Sequence, residues 1–148
     1  MKYKMIHKAT HSDSYAVAQM AVKMWTSHTV DELSQEFDSL IDNDSAAIFV
    51  CAVNGAYIGF SQCQLRYDYV EGTNSSPVGY LEGVFVEEKS RNQGWGRMLI
   101  NACEQWAKEK GCTEFASDCE LNNHQSLEFH LHCGFREANR IICFTKKL

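Results

Sequence analysis

Val84-Phe85-Val86-Glu87-Glu88-Lys89-Ser90-Arg91-Asn92-Gln93-Gly94-Trp95-Gly96-Arg97 is the stretch on which the fold turns. The run from Val78 to Val86 reads as a strand and ends there. A polar turn with two closely spaced glycines follows, and helical periodicity begins at about Arg97. A strand, a glycine-rich loop and a helix in that order aim several backbone N–H groups and the positive end of a helix dipole at one point. That arrangement suits a phosphate or pyrophosphate, and Gly94 and Gly96 let the main chain approach it closely. Two nucleotide loops are excluded by the residues present. A dinucleotide fingerprint needs a third glycine where Leu99 stands, and a P-loop needs Gly-Lys-Ser/Thr, which the chain lacks.

Downstream of the loop, Leu99, Cys103, Trp106 and Ala107 form the buried stripe of a helix over 97–110, which Gly111 ends. Residues 112–117 read as a short strand, 123–133 as a helix stopping at Gly134, and 141–145 as a last strand hairpinned with the residues after Phe135. Upstream, Ser12 or Asp13 caps a helix with Val17, Met20, Ala21 and Met24 on one face, ending near Trp25. Val30, Leu33, Phe37, Leu40 and Ile41 mark a second amphipathic helix. Residues 46–53 and 57–66 flank Asn54-Gly55, a pair suited to a type I′ turn, and so predict a hairpin. Residues 72–77, with the only proline, are a loop, and Gly83 marks a bulge or a close backbone approach in the strand over 78–86. The expected fold is α/β, of the α+β kind: one domain over 1–148, with a mixed central sheet and helices on both faces.

Bulk properties narrow the function. The 148 residues are 45% hydrophobic and 22% charged, with net charge −5 and no apolar run near the ~20 residues of a membrane span. No basic stripe points to nucleic acid. The N-terminus lacks the apolar core of an export signal. Seven cysteines without a Cys-x-x-Cys pair read as reduced thiols of a cytoplasmic protein, and the histidine spacings predict no metal site. No Lys or Arg occurs from Met24 to Leu65, while Asp31, Glu32, Glu36, Asp38, Asp42 and Asp44 do. That end is either a cation-attracting surface or a solvated acidic helix face.

Arg91-x-x-Gly94-x-Gly96 after a strand resembles the coenzyme A pyrophosphate loop of the Gcn5-related N-acetyltransferase (GNAT) superfamily, and Gly134-Phe135 after the late helix is a further hallmark. The resemblance spans nearly the whole chain. At Arg66-Tyr67-Asp68-Tyr69-Val70, Ser75-Ser76-Pro77-Val78, Leu81-Glu82-Gly83 and Glu114-Phe115-Ala116-Ser117-Asp118 it narrows to the aminoglycoside 6′-N-acetyltransferases of Gram-negative bacteria. It implies acetyl-CoA as cosubstrate, an aminoglycoside as acceptor, and a homodimer. By the same resemblance Trp25 and Tyr69 are substrate-contacting aromatics, and Glu82 and Asp118 are substrate carboxylates. Asn123 is a coenzyme contact, and Asn139 stands where relatives carry a further acidic contact. The coenzyme set comprises Val84, Phe85, Val86, Arg91, Asn92, Gln93, Gly94, Trp95, Gly96, Arg97 and Asn123.

Acetylation needs a neutral amine, so the site must bind an ammonium and remove its proton, and a carboxylate does both. Glu82 is assigned as general base through water and Asp118 to gripping and deprotonating the ammonium. Backbone N–H groups of 84–86 are candidates for the oxyanion. The competing structural readings are a strand carboxylate bonded to backbone for Glu82, turn chemistry for Asp118, and core packing for Trp25 and Tyr69. His130, four residues before Gly134, stands where many superfamily members place a tyrosine acid, with a packed structural histidine as the alternative. Cys119 raises a ping-pong route through an acetyl-cysteine. Rival functions are acetylation of a polyamine or peptide N-terminus, and a non-catalytic acyl-CoA sensor.

Overall fold

The computed structural model describes residues 5–148. Five strands, β1 (Ile6–Lys8), β2 (Ala46–Val53), β3 (Ala56–Arg66), β4 (Val78–Val86) and β5 (Phe115–Ala116), lie in sequence order in one sheet. The first four are antiparallel neighbours, and β4 pairs with β5 in parallel at Gly79↔Phe115 and Tyr80↔Ala116. The sheet is therefore mixed, as expected. The β2–β3 turn places Asn54 and Gly55 at φ of 51° and 80°, the conformation that a type I′ turn demands.

Alternation on β2 divides the core. Ile48 and Val50 join Val17, Met20, Leu33, Phe37 and Phe60 under α1 (Ser14–Ala21) and α2 (Val30–Ile41). Ala47 and Cys51 face the other way, with Leu81, Leu99, Ile100, Cys103 and Trp106, under α3 (Trp95–Glu109). The last helix, α4 (His124–His132), adds Phe129 to that second layer. Helices thus cover both faces of the sheet. The Thr29 hydroxyl accepts from the Glu32 N–H while Glu32 reaches back to the Thr29 N–H, a capping box that starts α2.

Several expectations are corrected. No strand forms over 141–145: the chain after Phe135 has no regular structure, and Ile141, Ile142 and Phe144 are exposed. A short apolar, β-branched run makes a strand only where a partner edge is available, and β5 presents just two residues. The strand expected over 112–117 contracts to those two, because beyond Ala116 the backbone leaves β4. The first helix stops at Ala21 and continues as turns in which the Met24 and Trp25 amides both donate to the Ala21 carbonyl. Helix α3 starts two residues early, at Trp95, because Gly94 at φ 90° supplies its N-cap. That start buries the indole against Cys51 and Leu99. Strand β1 was not foreseen.

Candidate active site

The register of β3 with β4 slips at one place. Gln62 pairs with Gly83 and Cys63 with Leu81, so Glu82 is the extra residue of a β-bulge. Before the bulge Leu81 faces α3 and Tyr80 the opposite side; after it Val84 faces α3 and Phe85 the opposite side. One inserted residue keeps both cores filled and puts Glu82 and Gly83 on the face away from α3.

Here β4 also loses its neighbour. Residues Val78 to Leu81 are buried, whereas Glu82 to Val86 are half-buried because β5 has ended. The Glu87 N–H donates to the Ile58 carbonyl on β3 at 2.8 Å. Antiparallel alternation then turns Phe85 toward β3, and turns Val84 and Val86 toward the open edge. The Val86 carbonyl on that edge accepts from Arg91 Nε at 2.7 Å, which folds the glycine loop back onto the strand. Of the three candidate oxyanion donors, Val84 and Val86 face the open edge of β4 and Phe85 does not.

Trp25 reaches the site through the space Gly83 leaves: a Cβ there would lie 2.7 Å from the indole Cζ2. Its ring also packs on Phe37 and Phe60 at centroid distances of 6.4 and 6.2 Å, so it joins the core to the strand beside Glu82. Asp118, exposed just past β5, accepts a hydrogen bond from the Tyr80 hydroxyl. Glu82 Oε1 accepts from Arg66 Nη2 at 2.8 Å and Nε at 3.3 Å. Burial first, then the bond to Asp118, pushes the Tyr80 hydroxyl above its ordinary value, so it remains a donor. Tyr69 is exposed in the loop after β3, where its hydroxyl accepts from the Gly72 N–H at 3.4 Å. Asn139 donates to Glu71 at 2.7 Å, which lays the C-terminal segment along the Tyr69 loop.

Of the residues expected to bind the coenzyme, Arg91, Asn92, Gln93, Gly94 and Arg97 are exposed around the start of α3, with Asn92 at φ 63°. A Cβ on Gly96 would lie 2.9 Å from Phe129, so Gly96 serves the close approach of α3 to α4. Asn123 Oδ1 caps α4 by accepting from the Ser126 N–H at 3.1 Å, which leaves its amide N–H groups free of that role. His130 donates from Nδ1 to the Ser126 carbonyl at 2.7 Å and meets the Ser117 hydroxyl through Nε2 at 2.8 Å. Nε2 thus fastens α4 to the residue after β5, while the Nδ1 bond lies within α4. Cys119 is exposed. Asp38 on α2 and Asp42 at its C-cap both bind His11, at 2.9 and 2.7 Å, so part of the acidic stretch is matched internally. Among the described residues no cluster with a metal-binding ligand set occurs, and no helix is long and apolar enough to cross a membrane.

Arg66 and Tyr80 were missed as site residues by sequence reasoning. Period-two alternation, which sets Tyr80 and Glu82 on one strand face, was the available signal.

The profile of the acetyltransferase (GNAT) family matches residues 11–135. The chain is 39% identical over 143 residues to aminoglycoside N(6′)-acetyltransferase type 1 of Stenotrophomonas maltophilia, covering 97% of this chain and 93% of that one. It is 34% identical to the enzyme of the same name from Serratia marcescens, covering 97% and 99%. Among solved structures, AAC(6′)-Iy in complex with the bisubstrate analogue CoA-S-monomethyl-acetylneamine superimposes with a TM-score of 0.92, 33% identity and 97% coverage of both chains. The apo aminoglycoside antibiotic 6′-N-acetyltransferase AAC(6′)-IG from Acinetobacter haemolyticus gives 0.91 at 34% identity, covering 97% of this chain and 98% of that one.

Proposed function

Because the chain belongs to the GNAT family of acetyltransferases, we propose that it transfers acetyl from acetyl-CoA to the 6′-amine of aminoglycoside antibiotics and thereby confers resistance. The observation that carries this reading is the convergence at one sheet edge. Glu82 on its bulge, Asp118 past β5 and the Trp25 ring lie where β4 loses its neighbour and runs on toward the glycine loop at the start of α3.

The pyrophosphate of coenzyme A sits on the N–H groups of residues 92–97 at the positive end of α3, with Arg91, Arg97 and Asn123 beside it. The thioester lies along the open edge of β4. Glu82 and Asp118 bind the acceptor ammonium, and Glu82 takes its proton through water. The free amine attacks the thioester carbon, and the Val84 and Val86 N–H groups receive the charge that develops on oxygen. The C–S bond then breaks, the nitrogen releases one of its two protons to solvent and keeps the other in the amide, and the departing thiolate takes a proton from solvent. No covalent enzyme intermediate is required. Trp25 and Tyr69 offer ring faces to the sugar and its ammonium groups.

A homodimer and a cytoplasmic site of action belong to the same proposal. Exposed Ile141, Ile142 and Phe144 support the first and free thiols the second. Sedimentation at micromolar concentration should give the mass of two chains, and a monomer there would exclude the dimer.

The test is thiol release from acetyl-CoA with a panel of aminoglycosides that carry or lack a 6′-amine, scored by product mass. Turnover confined to 6′-amino drugs supports the proposal. Release with spermidine but not with kanamycin or tobramycin would replace it with a polyamine acceptor. No turnover, with acetyl-CoA still raising the melting temperature, would leave only a sensor.

A further inference from the structure

Arg66 lies directly over the Tyr80 ring, its guanidinium carbon 3.4 Å from the ring centroid. From that position it binds Glu82, while the hydroxyl of the same Tyr80 binds Asp118. The two carboxylates are therefore the ends of one continuous chain of contacts: Glu82, Arg66, Tyr80, Asp118. Each is held by a single oxygen. Arg66 uses only Oε1 of Glu82, and Tyr80 uses only Oδ2 of Asp118. Neither Glu82 Oε2 nor Asp118 Oδ1 has a hydrogen-bond partner among the described residues.

We propose that Arg66 and Tyr80 are positioning residues that join Glu82 and Asp118 into one acceptor-binding unit, each anchoring one carboxylate oxygen and leaving the other to the substrate amine. The proposal rests on the acceptor roles given to Glu82 and Asp118 above. Tyr80 is 6% exposed and fixed in the sheet, so its hydroxyl defines where Asp118 stands. Asp118 needs such a fixture because it lies beyond the end of β5, where no backbone ladder holds it. Glu82 sits at a bulge, also outside the regular ladder. The planar guanidinium lies flat on the ring while its edge reaches the carboxylate, which an ammonium on a flexible stem does not reproduce. The stack thus sets the spacing between the two free oxygens and with it the acceptors that span them.

Net charge follows from the same unit. Two carboxylates and one guanidinium leave a single negative charge to be matched, which suits one ammonium. Arg66 also screens the carboxylates from repelling each other.

The test uses the full-length protein with acetyl-CoA and tobramycin, following thiol release. Tyr80→Phe keeps the ring and the Arg66 stack but loses the hydroxyl. It should raise the KM for tobramycin on the order of ten- to a hundred-fold, as expected for a lost hydrogen bond to a charged group. The KM for acetyl-CoA should stay unchanged. Arg66→Met should raise the tobramycin KM at least as much, and Arg66→Lys should fall between it and wild type. In an Asp118→Asn background, Tyr80→Phe should add little, because the partner is already altered. An equal cost in both backgrounds overturns the proposal, as does a parallel rise in the acetyl-CoA KM. The underlying assignment is separated by Glu82→Gln and Asp118→Asn. If neither alters tobramycin turnover, the assignment of the carboxylates fails and takes the proposal with it. If both do while Tyr80→Phe and Arg66→Met do not, the positioning role alone fails.

Discussion

The Trp25 indole lies against Gly83 so closely that a Cβ on that glycine would come within 2.7 Å of Cζ2 and 2.9 Å of Cη2. The ring has little room to withdraw, being packed on Phe37 and Phe60. Gly83→Ala should therefore cost about 1–3 kcal/mol in urea unfolding, as overpacking does. It should also raise the acceptor KM by displacing the indole beside Glu82. An alanine variant with wild-type stability and wild-type acceptor KM would show that the contact constrains nothing.

Gly94 caps α3 at φ 90°, a conformation unfavourable for any residue with a Cβ. Gly94→Ala should cost roughly 1–2 kcal/mol and tilt the N–H groups at the start of α3. The kinetic signature is a higher KM for acetyl-CoA with the acceptor KM unmoved, the reverse of the Gly83→Ala pattern. Isothermal titration with coenzyme A checks it directly, and unchanged affinity would remove the loop from the binding site.

Cys119 is an exposed free thiol next to Asp118 in sequence, the residue a ping-pong route would acetylate. Direct transfer makes it dispensable. Cys119→Ala should retain activity within about twofold, since surface substitutions away from specific contacts change little, and initial-rate plots should intersect, not run parallel. A dead Cys119→Ala enzyme would establish the ping-pong route.

Acid stability is governed in part by Asp13, which is 5% exposed. Burial pushes its carboxyl up, but the Thr10 N–H, the Tyr57 hydroxyl at 2.6 Å and His7 outweigh burial and hold it below its ordinary value. A carboxyl lowered on folding contributes stability above its unfolded pKa of about 4, and that stability is lost as pH falls through the folded value. Tyr57→Phe should lower the unfolding free energy by about 1.5–3 kcal/mol at pH 7, and its gap to wild type should narrow toward pH 2. A pH-independent gap in urea midpoints would assign the effect to packing instead.

Much of the fold was legible from local chemistry. Asn54-Gly55 demanded a type I′ turn, the apolar stripe Leu99, Cys103, Trp106 and Ala107 demanded a helix, and the Gly94/Gly96 loop marked a helix start suited to an anion. Each of these depends on neighbours a few residues apart, and so do the residues proposed to hold the coenzyme. The residues proposed to bind the acceptor were readable only as residue types. Glu82 and Asp118 were in view, but their joining through Arg66 and Tyr80 spans separations of 16 and 38 residues. It depends on a bulge that shifts pairing by one residue. The strand expected over 141–145 failed for a related reason. Its apolar, β-branched composition is a local property, whereas forming a strand takes a neighbouring edge, and β5 ends after two residues. Backbone preference is decided within a turn or two of chain, while convergence of side chains is decided by register and packing between elements. No short window of sequence contains those.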